Sequence, residues 1–247
     1  MPFYERENKI LEALYDAKNM SVEELSKKLF ISMPTVRRDL IKLENKGLII
    51  RTRGGALLKN NSPDSKIPLF MRENEQSEAK RIIAKKAIEF ISDGDTIMLD
   101  ASTTACSVIP YLSDFHDILV ITSGAKASVM LGEMEIKNIC TGGEMVTKSF
   151  SYIGTEAERT VLNYNADILF FSCRSLSYDG FLSDNSIEEN AVRRAMMSRA
   201  KKKILLLDSA KFGKTSLNNL CHLSDVDEFI CEKDLNLSFT IEKNNKL

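Results

Sequence analysis

The sequence predicts an α/β protein of two unlike parts, a small N-terminal domain of helices with a hairpin and a larger domain with a mostly parallel sheet. The first observation is helical apolar spacing with capping residues over residues 1–56. The second is the alternation of strand-length apolar runs with helical segments from residue 78 onward. The third is a polar stretch with two prolines between these regions, "KNNSPDSKIP", which is typical of a linker. We therefore predict domains at residues 1–58 and 71–247 and a linker at residues 59–70.

The composition is that of a globular protein, since 43% of the 247 residues are hydrophobic and 28% are charged. No apolar run approaches the roughly 20 residues that span a bilayer, and the charged N-terminus lacks the apolar core of a signal peptide. We expect a cytoplasmic protein without a membrane partner. The odd number of cysteines, without a C-x-x-C pair, predicts reduced thiols rather than disulfides or a zinc site. These cysteines are Cys106, Cys140, Cys173, Cys221 and Cys231. His116 and His222 are expected on the surface or in loops, so no metal or cofactor is expected.

The net charge of −1 conceals an asymmetry along the chain. Residues 1–60 hold 12 Lys and Arg against 8 Asp and Glu, a net charge of +4, whereas the remainder holds 22 against 27, a net charge of −5. A basic N-terminal part on an acidic body indicates that only the N-terminal part contacts a polyanion. An ordinary solvated surface is the alternative.

The first two helices are predicted from apolar spacing and a cap. Ile10, Leu11 and Leu14 form a helical apolar stripe. Ser21, followed three residues later by Glu24, forms a capping box at the start of a second helix.

A third helix begins at Ser32, which is placed as its N-cap with Pro34 in the first turn, and it ends at Gly47. Two helices joined by a turn of three or four residues have helix-turn-helix spacing. At about 100° per residue, Leu40 and Leu43 fall within about 40° of Val36, so these three define the buried face. The side chains that project from the other faces, or that lie at the helix start where they can meet phosphates or base edges, are Ser32, Thr35, Arg37, Arg38 and Lys42. A solvated helix face would show the same spacing.

The segment "LIIRTRGG" predicts a strand followed by a tight reversal at Gly54-Gly55. A basic hairpin after such a helix is a wing, which can place Arg51 and Arg53 along phosphates or in a minor groove.

These residues together resemble the N-terminal signature of the DeoR family of bacterial transcription regulators. The matching positions are Ser32, Thr35, Val36, Arg37, Arg38, Asp39, Leu40, Leu43, Glu44, Gly47, Arg51, Arg53 and Gly54-Gly55-Ala56. The resemblance implies a winged helix-turn-helix domain that binds double-stranded operator DNA. It also implies repression as the usual mode of regulation, commonly of an adjacent operon for sugar uptake and catabolism.

The larger domain is predicted to be a doubly wound, mostly parallel sheet. The predicted strands are residues 95–100, 117–122, 136–140, 166–173, 202–208 and 227–232. There is no G-x-G-x-x-G, P-loop or H-E-x-x-H motif, so dinucleotide, nucleoside triphosphate and zinc-protease functions are unsupported.

Polar residues follow several of these strands, where ligands of such sheets bind. Hydroxyls and free N–H groups at the helix start after the first strand suit a phosphate, and a glycine pair lets backbone approach a ligand closely. The candidate ligand-binding residues are Asp100, Ser102, Thr103, Thr104, Thr122, Ser123, Gly142, Gly143 and Lys211. Ordinary Ser/Thr capping and a surface lysine are the alternatives.

The resemblance extends over this half, through "LDASTT", the Gly-Gly strand end, "IGTEAE" and "LLLDSAKFGK". It implies a DeoR-type sensor domain, related in fold to ribose-5-phosphate isomerase and glucosamine-6-phosphate deaminase, with a phosphorylated sugar as effector. Two departures appear: Ser102 replaces the glycine of the common Asp-x-Gly-Thr-Thr, and "SCRSLSYDG" lacks the acidic run of the isomerases.

Two functions follow from this sequence. The first is a ligand-controlled repressor, and the second is a sugar-phosphate isomerase or deaminase carrying a DNA-binding domain. The second needs a positioned carboxylate, but the chain offers Cys173, Arg174 and Ser175 at the relevant strand end. We therefore favour the repressor, which we expect to form a dimer or tetramer because one such module reads only a few base pairs.

Overall fold

The computed structural model describes residues 3–58 and 69–235. The chain divides into two compact units, Met1–Glu75 and Gln76–Leu247. Residues 59–68 of the predicted linker lie outside the described residues. The linker prediction does not anticipate the helix α4, which begins at Leu69 and ends at Asn74. This helix groups with the first unit, whereas the sequence-based boundary at residue 71 places most of it in the larger domain.

The N-terminal unit has the helix and strand order of a winged helix-turn-helix domain. Its elements are α1 (Phe3–Ala17), β1 (Asn19–Ser21), α2 (Val22–Leu29), α3 (Met33–Asn45), β2 (Ile49–Thr52) and β3 (Gly55–Leu58). The three strands form one antiparallel sheet in the order β1-β3-β2. The predicted stripe residues Ile10, Leu11 and Leu14 are all fully buried in the core of this unit.

The caps of α2 and α3 differ in their chemistry. The predicted capping box is confirmed, because the Glu24 N–H donates to Ser21 Oγ (3.1 Å) and the Ser21 N–H donates to Glu24 Oε2 (2.7 Å). Ser32 occupies the N-cap of α3 without a side-chain cap bond. Its hydroxyl instead lies 2.9 Å from that of Thr35. Gly47, which follows the end of α3, adopts a left-handed φ of 71°.

The strand β1 was not predicted, and it explains the second of the two wing glycines. Gly54 has a φ of +108° in the turn between β2 and β3. A Cβ on Gly55 would lie 2.3 Å from the carbonyl oxygen of Met20 on β1. Gly54 therefore permits the turn, and Gly55 permits the close approach of β3 to β1.

The larger unit is built on a six-stranded parallel sheet in the order β14-β12-β9-β4-β5-β6. These strands are β4 (Thr96–Leu99), β5 (Leu119–Thr122), β6 (Asn138–Cys140), β9 (Ala166–Phe171), β12 (Ala200–Leu206) and β14 (Glu228–Ile230). All six predicted strands are present, each shorter than or shifted from its predicted range. The main helices are α5 (Ser77–Ala87), α7 (Ala125–Glu133), α8 (Thr155–Leu162) and α9 (Ile187–Arg199).

Helices cover both faces of the sheet, as the doubly wound prediction requires. Ile97 and Leu99 of β4 belong to a buried cluster with residues of α5 and α7, whereas Met98 belongs to a second cluster with residues of α8 and α9. Alternate side chains of one strand thus enter opposite cores. The helix that starts after β4 is short: α6 spans only Thr103–Cys106, and a 3-10 turn follows at Ile109–Asp114 with Pro110 in its first turn.

The order in which strands are added to the sheet reverses in the middle of the sheet. From β4, the chain adds β5 and β6 on one side and then returns to add β9, β12 and β14 on the other side. The reversal point therefore lies between β4 and β9. In open parallel sheets, a crevice forms at this point outside the carboxyl ends of the two strands.

Short antiparallel strands complete the larger unit, and none of them was predicted. They are β7 (Glu144–Val146), β8 (Ser151–Ile153), β10 (Ser175–Leu176), β11 (Phe181–Asp184) and β13 (Asn218–His222). The hairpin of β7 and β8 directly follows Gly142-Gly143. A Cβ on Gly143 would lie 2.6 Å from the carbonyl oxygen of Ile153, so this position accepts only glycine without rearrangement.

Candidate functional site

The helix α3 presents its basic residues on an exposed face. Arg37, Arg38 and Lys42 are exposed, whereas Val36 and Leu40 are at most 1% exposed. This arrangement agrees with the helical angles inferred from the sequence. An exposed row of cations on the second helix of a helix-turn-helix pair is the arrangement of a major-groove reading helix.

Asp39 has a role that the sequence did not reveal. Although it directly follows the exposed Arg38, its side chain is 1% exposed and accepts two bonds from Arg6 of α1, from Nε at 2.7 Å and from Nη2 at 3.1 Å. This bidentate pair joins α3 to α1. It therefore fixes the direction in which Arg38 projects.

Both arginines of the wing are exposed to solvent. Arg51 lies on β2 and Arg53 in the turn after it, and both are exposed. The guanidinium of Arg51 lies 3.4 Å from the carboxylate of Glu44 on α3. The Arg51 N–H also donates to Glu44 Oε1 (3.2 Å), which ties the wing to α3.

Asp100 lies at the carboxyl end of β4 and is 1% exposed. Its carboxylate accepts bonds from the Ser102 N–H (3.0 Å), the Ser102 hydroxyl (2.5 Å), the Ser172 N–H (3.4 Å) and Arg193 Nε (2.8 Å). Ser172 follows β9, so the bonds of Asp100 connect the ends of β4 and β9, between which the strand order reverses. With four donors around it, Asp100 holds the loop before α6 in place.

Arg193 of α9 is the buried cation of this cluster. Its side chain is 8% exposed and lies 2.8 Å from Asp100, 3.0 Å from Asp184 and 3.8 Å from Glu189. Burial alone would lower the pKa of Arg193, but the charges of Asp184, Asp100 and Glu189 outweigh it and raise the pKa above its ordinary value. Arg193 therefore stays charged. The Glu189 carboxylate extends the network to β8, because it accepts bonds from Ser149 and Ser151 at 2.6 Å each.

Lys211 brings a second cation to the same edge. Its Nζ lies 3.1 Å from Ser172 Oγ, 3.3 Å from Thr104 Oγ1 and 3.3 Å from Asp208 Oδ2. Its side chain is 24% exposed, so it is only partly shielded from solvent. The residues after β4, β9 and β12 thus meet around one lysine.

The other predicted residues line the same edge with different accessibility. Ser102 and Thr103 are half-buried, and Ser102 caps α6 by accepting from the Ala105 N–H (3.1 Å). Thr104 and Thr122 are fully buried, Ser123 is 5% exposed, and Thr122 Oγ1 accepts from the Gly124 N–H (3.0 Å). Gly142 is half-buried and Gly143 is exposed, after the neighbouring strand β6. The atoms that a ligand can reach therefore belong to Ser102, Thr103, the glycine pair and Lys211.

The charged side chains at this edge of the sheet do not sum to a positive charge. Four carboxylates, those of Asp100, Asp184, Glu189 and Asp208, outnumber the three cations beside them, which are Arg193, Lys211 and Arg174; the charge of Arg174 interacts with that of Asp184. An anionic ligand would therefore depend on Lys211 and on backbone N–H groups rather than on a net positive field.

Cys173 lies immediately after Ser172 and is 3% exposed. Desolvation raises the pKa of its thiol to about 12, although the charge of Lys211 opposes this rise. The thiol is therefore protonated at neutral pH and is a poor nucleophile.

Arg193, Ser172, Asp184 and Glu189 complete a network that sequence reasoning did not assign. One signal was available, because Glu189 and Arg193 are four residues apart and share one face of α9. Nothing in the spacing, however, indicates that this face is turned toward Asp100, 93 residues earlier. That proximity is a result of the sheet order.

A separate cleft of about 660 Å³ lies beside β14, lined by residues that include Lys86, Phe90 and Cys231. None of the candidate ligand-binding residues lines it. Within residues 3–58 and 69–235, no group of His, Cys, Asp and Glu side chains could hold a metal ion. No helix in the same ranges is long and apolar enough to cross a bilayer.

The two units define a protein class: a winged helix-turn-helix module joined to an α/β domain with a cluster of polar residues at its strand ends. Residues 6–62 match the model of the DeoR-like helix-turn-helix domain, and residues 75–233 match that of the DeoR C-terminal sensor domain. The chain belongs to the DeoR family of transcriptional regulators, so the resemblance noted in the sequence is confirmed.

Curated relatives match over nearly the whole chain. The HTH-type transcriptional regulator YulB of Bacillus subtilis is 34% identical over 94% of this chain and 89% of its own length. The L-fucose operon activator of Haemophilus influenzae is 32% identical over 93% of this chain and 92% of its own. The glycerol-3-phosphate regulon repressor of Escherichia coli is 29% identical over 90% of this chain and 88% of its own.

Among solved structures, ribose 5-phosphate isomerase A of Methanocaldococcus jannaschii is 18% identical, with a TM-score of 0.42. The similar region covers 55% of this chain and 54% of that one.

Proposed function

We propose that this protein is a repressor of an operon for sugar uptake and catabolism and that a phosphorylated sugar controls its binding to operator DNA. The names of the curated relatives support a regulator of carbon metabolism. One relative is named a repressor and another an activator. Repression is the mode that we propose here, because it is the usual mode implied by the sequence resemblance.

The DNA-binding part of the proposal assigns α3 to the major groove. Arg38 projects opposite the buried face of α3 and reads a base edge, whereas Arg37 and Lys42 flank it. Ser32 and Thr35 at the start of α3, together with Arg51 and Arg53 of the wing, contact phosphates. A homo-oligomer supplies the paired reading helices that specific binding needs. Light scattering at micromolar concentration should therefore give a mass above one chain, and a monomer would contradict this part.

The effector part rests on one observation, the position of Lys211 Nζ within 3.3 Å of Thr104 and Ser172 at the reversal point of the sheet. A partly accessible ammonium beside hydroxyls and the start of α6 suits a phosphate group. The phosphate binds between Lys211 and the backbone of Ser102 and Thr103. The sugar hydroxyls extend toward Gly142-Gly143, where backbone can approach them closely.

The buried residues of the candidate set contribute to the proposed site by fixing the geometry of its backbone. In the present state, the Asp100 carboxylate is occupied by four donors. A direct contact of Asp100 with a sugar hydroxyl requires that Ser102 give up its bond. Thr104, Thr122 and Ser123 likewise act through the backbone geometry that their side chains fix.

Isomerase or deaminase chemistry is not favoured by this arrangement. Proton transfer between sugar carbons needs a carboxylate free to accept a proton. Asp100 and Asp184 are paired with Arg193, and Asp208 is paired with Lys211. Glu189 accepts bonds from two serine hydroxyls and lies 3.8 Å from Arg193. We therefore propose a sensor without turnover.

The effector can act on DNA binding only by favouring one arrangement of the protein over another, because the two sites lie in separate units. A coupling free energy of about 1–3 kcal/mol, typical of allostery, changes operator affinity by about 5- to 150-fold. By linkage, operator DNA changes effector affinity by the same factor.

Replacing the lysine tests the pocket. Lys211→Ala should abolish the response of operator binding to sugar phosphates while leaving the affinity without effector near that of the wild type. Lys214→Ala is the matched control, since Lys214 is an exposed lysine three residues away. Calorimetry with pentose and hexose phosphates, glycerol 3-phosphate and the unphosphorylated sugars measures both variants.

If Lys211→Ala binds the effector at full affinity, the pocket lies elsewhere. If the unphosphorylated sugar binds as tightly as its phosphate, the phosphate assignment is wrong. Turnover of any of these compounds by the wild-type protein would establish the enzyme instead.

A further inference from the structure

The exposed large hydrophobic side chains of the N-terminal unit are concentrated where the DNA-binding surface lies. Among the described residues of this unit, they are Phe30 (95%), Met33 (44%), Ile41 (43%) and Ile50 (46%), all in the turn before α3, in α3 itself or in the wing. Single exposed aliphatic residues are normal on a protein surface. They occur in the same elements as the exposed arginines, and this proximity in the fold is compatible with contact with something both anionic and apolar.

Ile41 lies within α3, so helical geometry defines its direction relative to the buried face. The buried side chains of α3 are Val36, Asp39, Leu40 and Leu43. At about 100° per residue, their mean direction lies within about 20° of Val36. On the same scale, Arg38 lies at about 200° and Ile41 at about 140°, so each is within about 40° of the direction opposite the core. Ile41 thus projects beside Arg38 and between the directions of Arg37 and Arg38.

The major groove offers one apolar group for such a side chain, the 5-methyl group of thymine. Arg and guanine form the commonest specific contact in this groove. Ile41 lies three residues after Arg38, about 4.5 Å along the helix axis at 1.5 Å per residue. That rise corresponds to one or two base-pair steps at about 3.4 Å each.

We propose that Ile41 is a specificity-determining residue that packs against a thymine methyl group within about two base pairs of the guanine read by Arg38. This inference rests on the proposed direction of α3 toward DNA. It assigns apolar readout to one side chain and polar readout to its neighbour. The branched side chain of Ile41 has few rotamers, so ordering it against a base costs little entropy.

Uracil substitution tests the contact directly. Operators are first selected from a randomised duplex library with the full-length wild-type protein, and each thymine of the consensus is then replaced by deoxyuridine, which lacks only the methyl group. At one thymine in each half-site, the wild-type protein should lose affinity about fourfold, which corresponds to about 0.8 kcal/mol for one buried methyl group. Ile41→Ala should bind the thymine and uracil operators equally at that position, and Ile41→Val should keep most of the difference.

Two control variants separate this effect from others. Val129→Ala removes an exposed aliphatic side chain (60%) from α7 of the larger unit and should keep the fourfold difference. Arg38→Ala should lose the guanine preference but retain sensitivity to the methyl group. If Ile41→Ala retains the fourfold difference, or if no thymine of the wild-type consensus is sensitive, the assignment is overturned. A library that yields no enriched sequence overturns DNA binding itself, and this inference with it.

Discussion

The two units of this protein use their cations in opposite ways. On α3 and the wing, Arg37, Arg38 and Arg53 are exposed above an aliphatic core. At the strand ends of the larger unit, Arg193 is 8% exposed among three carboxylates, and Lys211 lies among hydroxyls and a carboxylate.

The difference follows from the ligands that each surface suits. Exposed cations can neutralise a polyanion without a preformed pocket, and their contribution depends strongly on salt. Buried and paired cations are fixed in direction before any ligand arrives, so a small ligand spends little free energy on organising its site. The first arrangement suits DNA, and the second suits a small molecule with a few hydrogen-bonding groups.

The largest expected effect comes from removing the buried cation. Arg193→Met leaves Asp100, Asp184 and Glu189 without their shared partner in a dry environment. Breaking a buried ion pair in this way costs about 3–5 kcal/mol. Urea unfolding followed by circular dichroism should show this loss in the free energy of unfolding of the larger unit.

The control for that prediction is an exposed arginine on a helix of the same unit. Arg159, 66% exposed, pairs with Glu156 at 3.1 Å on α8. Arg159→Met should change stability by no more than about 0.5 kcal/mol. Equal losses in the two variants would mean that the buried network contributes nothing beyond a surface pair.

The next effect concerns the reading helix. Arg38→Ala should weaken binding to the selected operator by about 1–3 kcal/mol, because a side chain that reads a base edge is lost. Lys9→Ala, which removes an exposed cation from α1 instead, should bind nearly as the wild type does. A mobility-shift titration measures both, with circular dichroism to check folding. Unchanged affinity in Arg38→Ala would remove Arg38 from the base-reading set.

The wing should give a smaller effect of a different kind. Arg51→Ala and Arg53→Ala each remove a phosphate contact, so each should lower the slope of log affinity against log salt concentration by about 1. The loss should be similar on selected and random DNA. The 3.4 Å pair of Arg51 with Glu44 is exposed and does not remove Arg51 from this prediction. A strong dependence on operator sequence would instead indicate base contacts in the wing.

The last prediction concerns the accessibility of Cys173 at the strand ends and needs no substitution. Because desolvation raises the pKa of Cys173 to about 12, its thiol should resist alkylation by iodoacetamide at pH 8, where an ordinary cysteine reacts. Cys106 and Cys140 are only partly buried and serve as internal references. Mass spectrometry of the alkylated protein distinguishes them. Rapid modification of Cys173 in the folded protein would show that the strand ends around it are open to solvent.

Much of the fold could be predicted from local patterns. The capping box at Ser21, the buried stripe of α1 and the six strands of the parallel sheet each depend on residues close together in sequence. The short strands β1 and β13 could not be predicted, because three to five residues pair with segments far along the chain, and β10 is only two residues long. The early end of α6 at Cys106 was likewise missed, although Pro110 gave a local signal of a break.

The sequence by itself determined which residues of α3 are exposed, because helical periodicity fixes their direction relative to Val36 and Leu40. It also determined that polar residues end the parallel strands. Only the tertiary structure decided that Asp39 is buried against Arg6, and that Asp100, Ser172, Arg193 and Lys211 form one cluster. The physical reason is sequence distance: helix packing brings Arg6 and Asp39 together across 33 residues, and the order of strands in the sheet brings together cluster side chains that are 39 to 93 residues apart. No local periodicity encodes either arrangement.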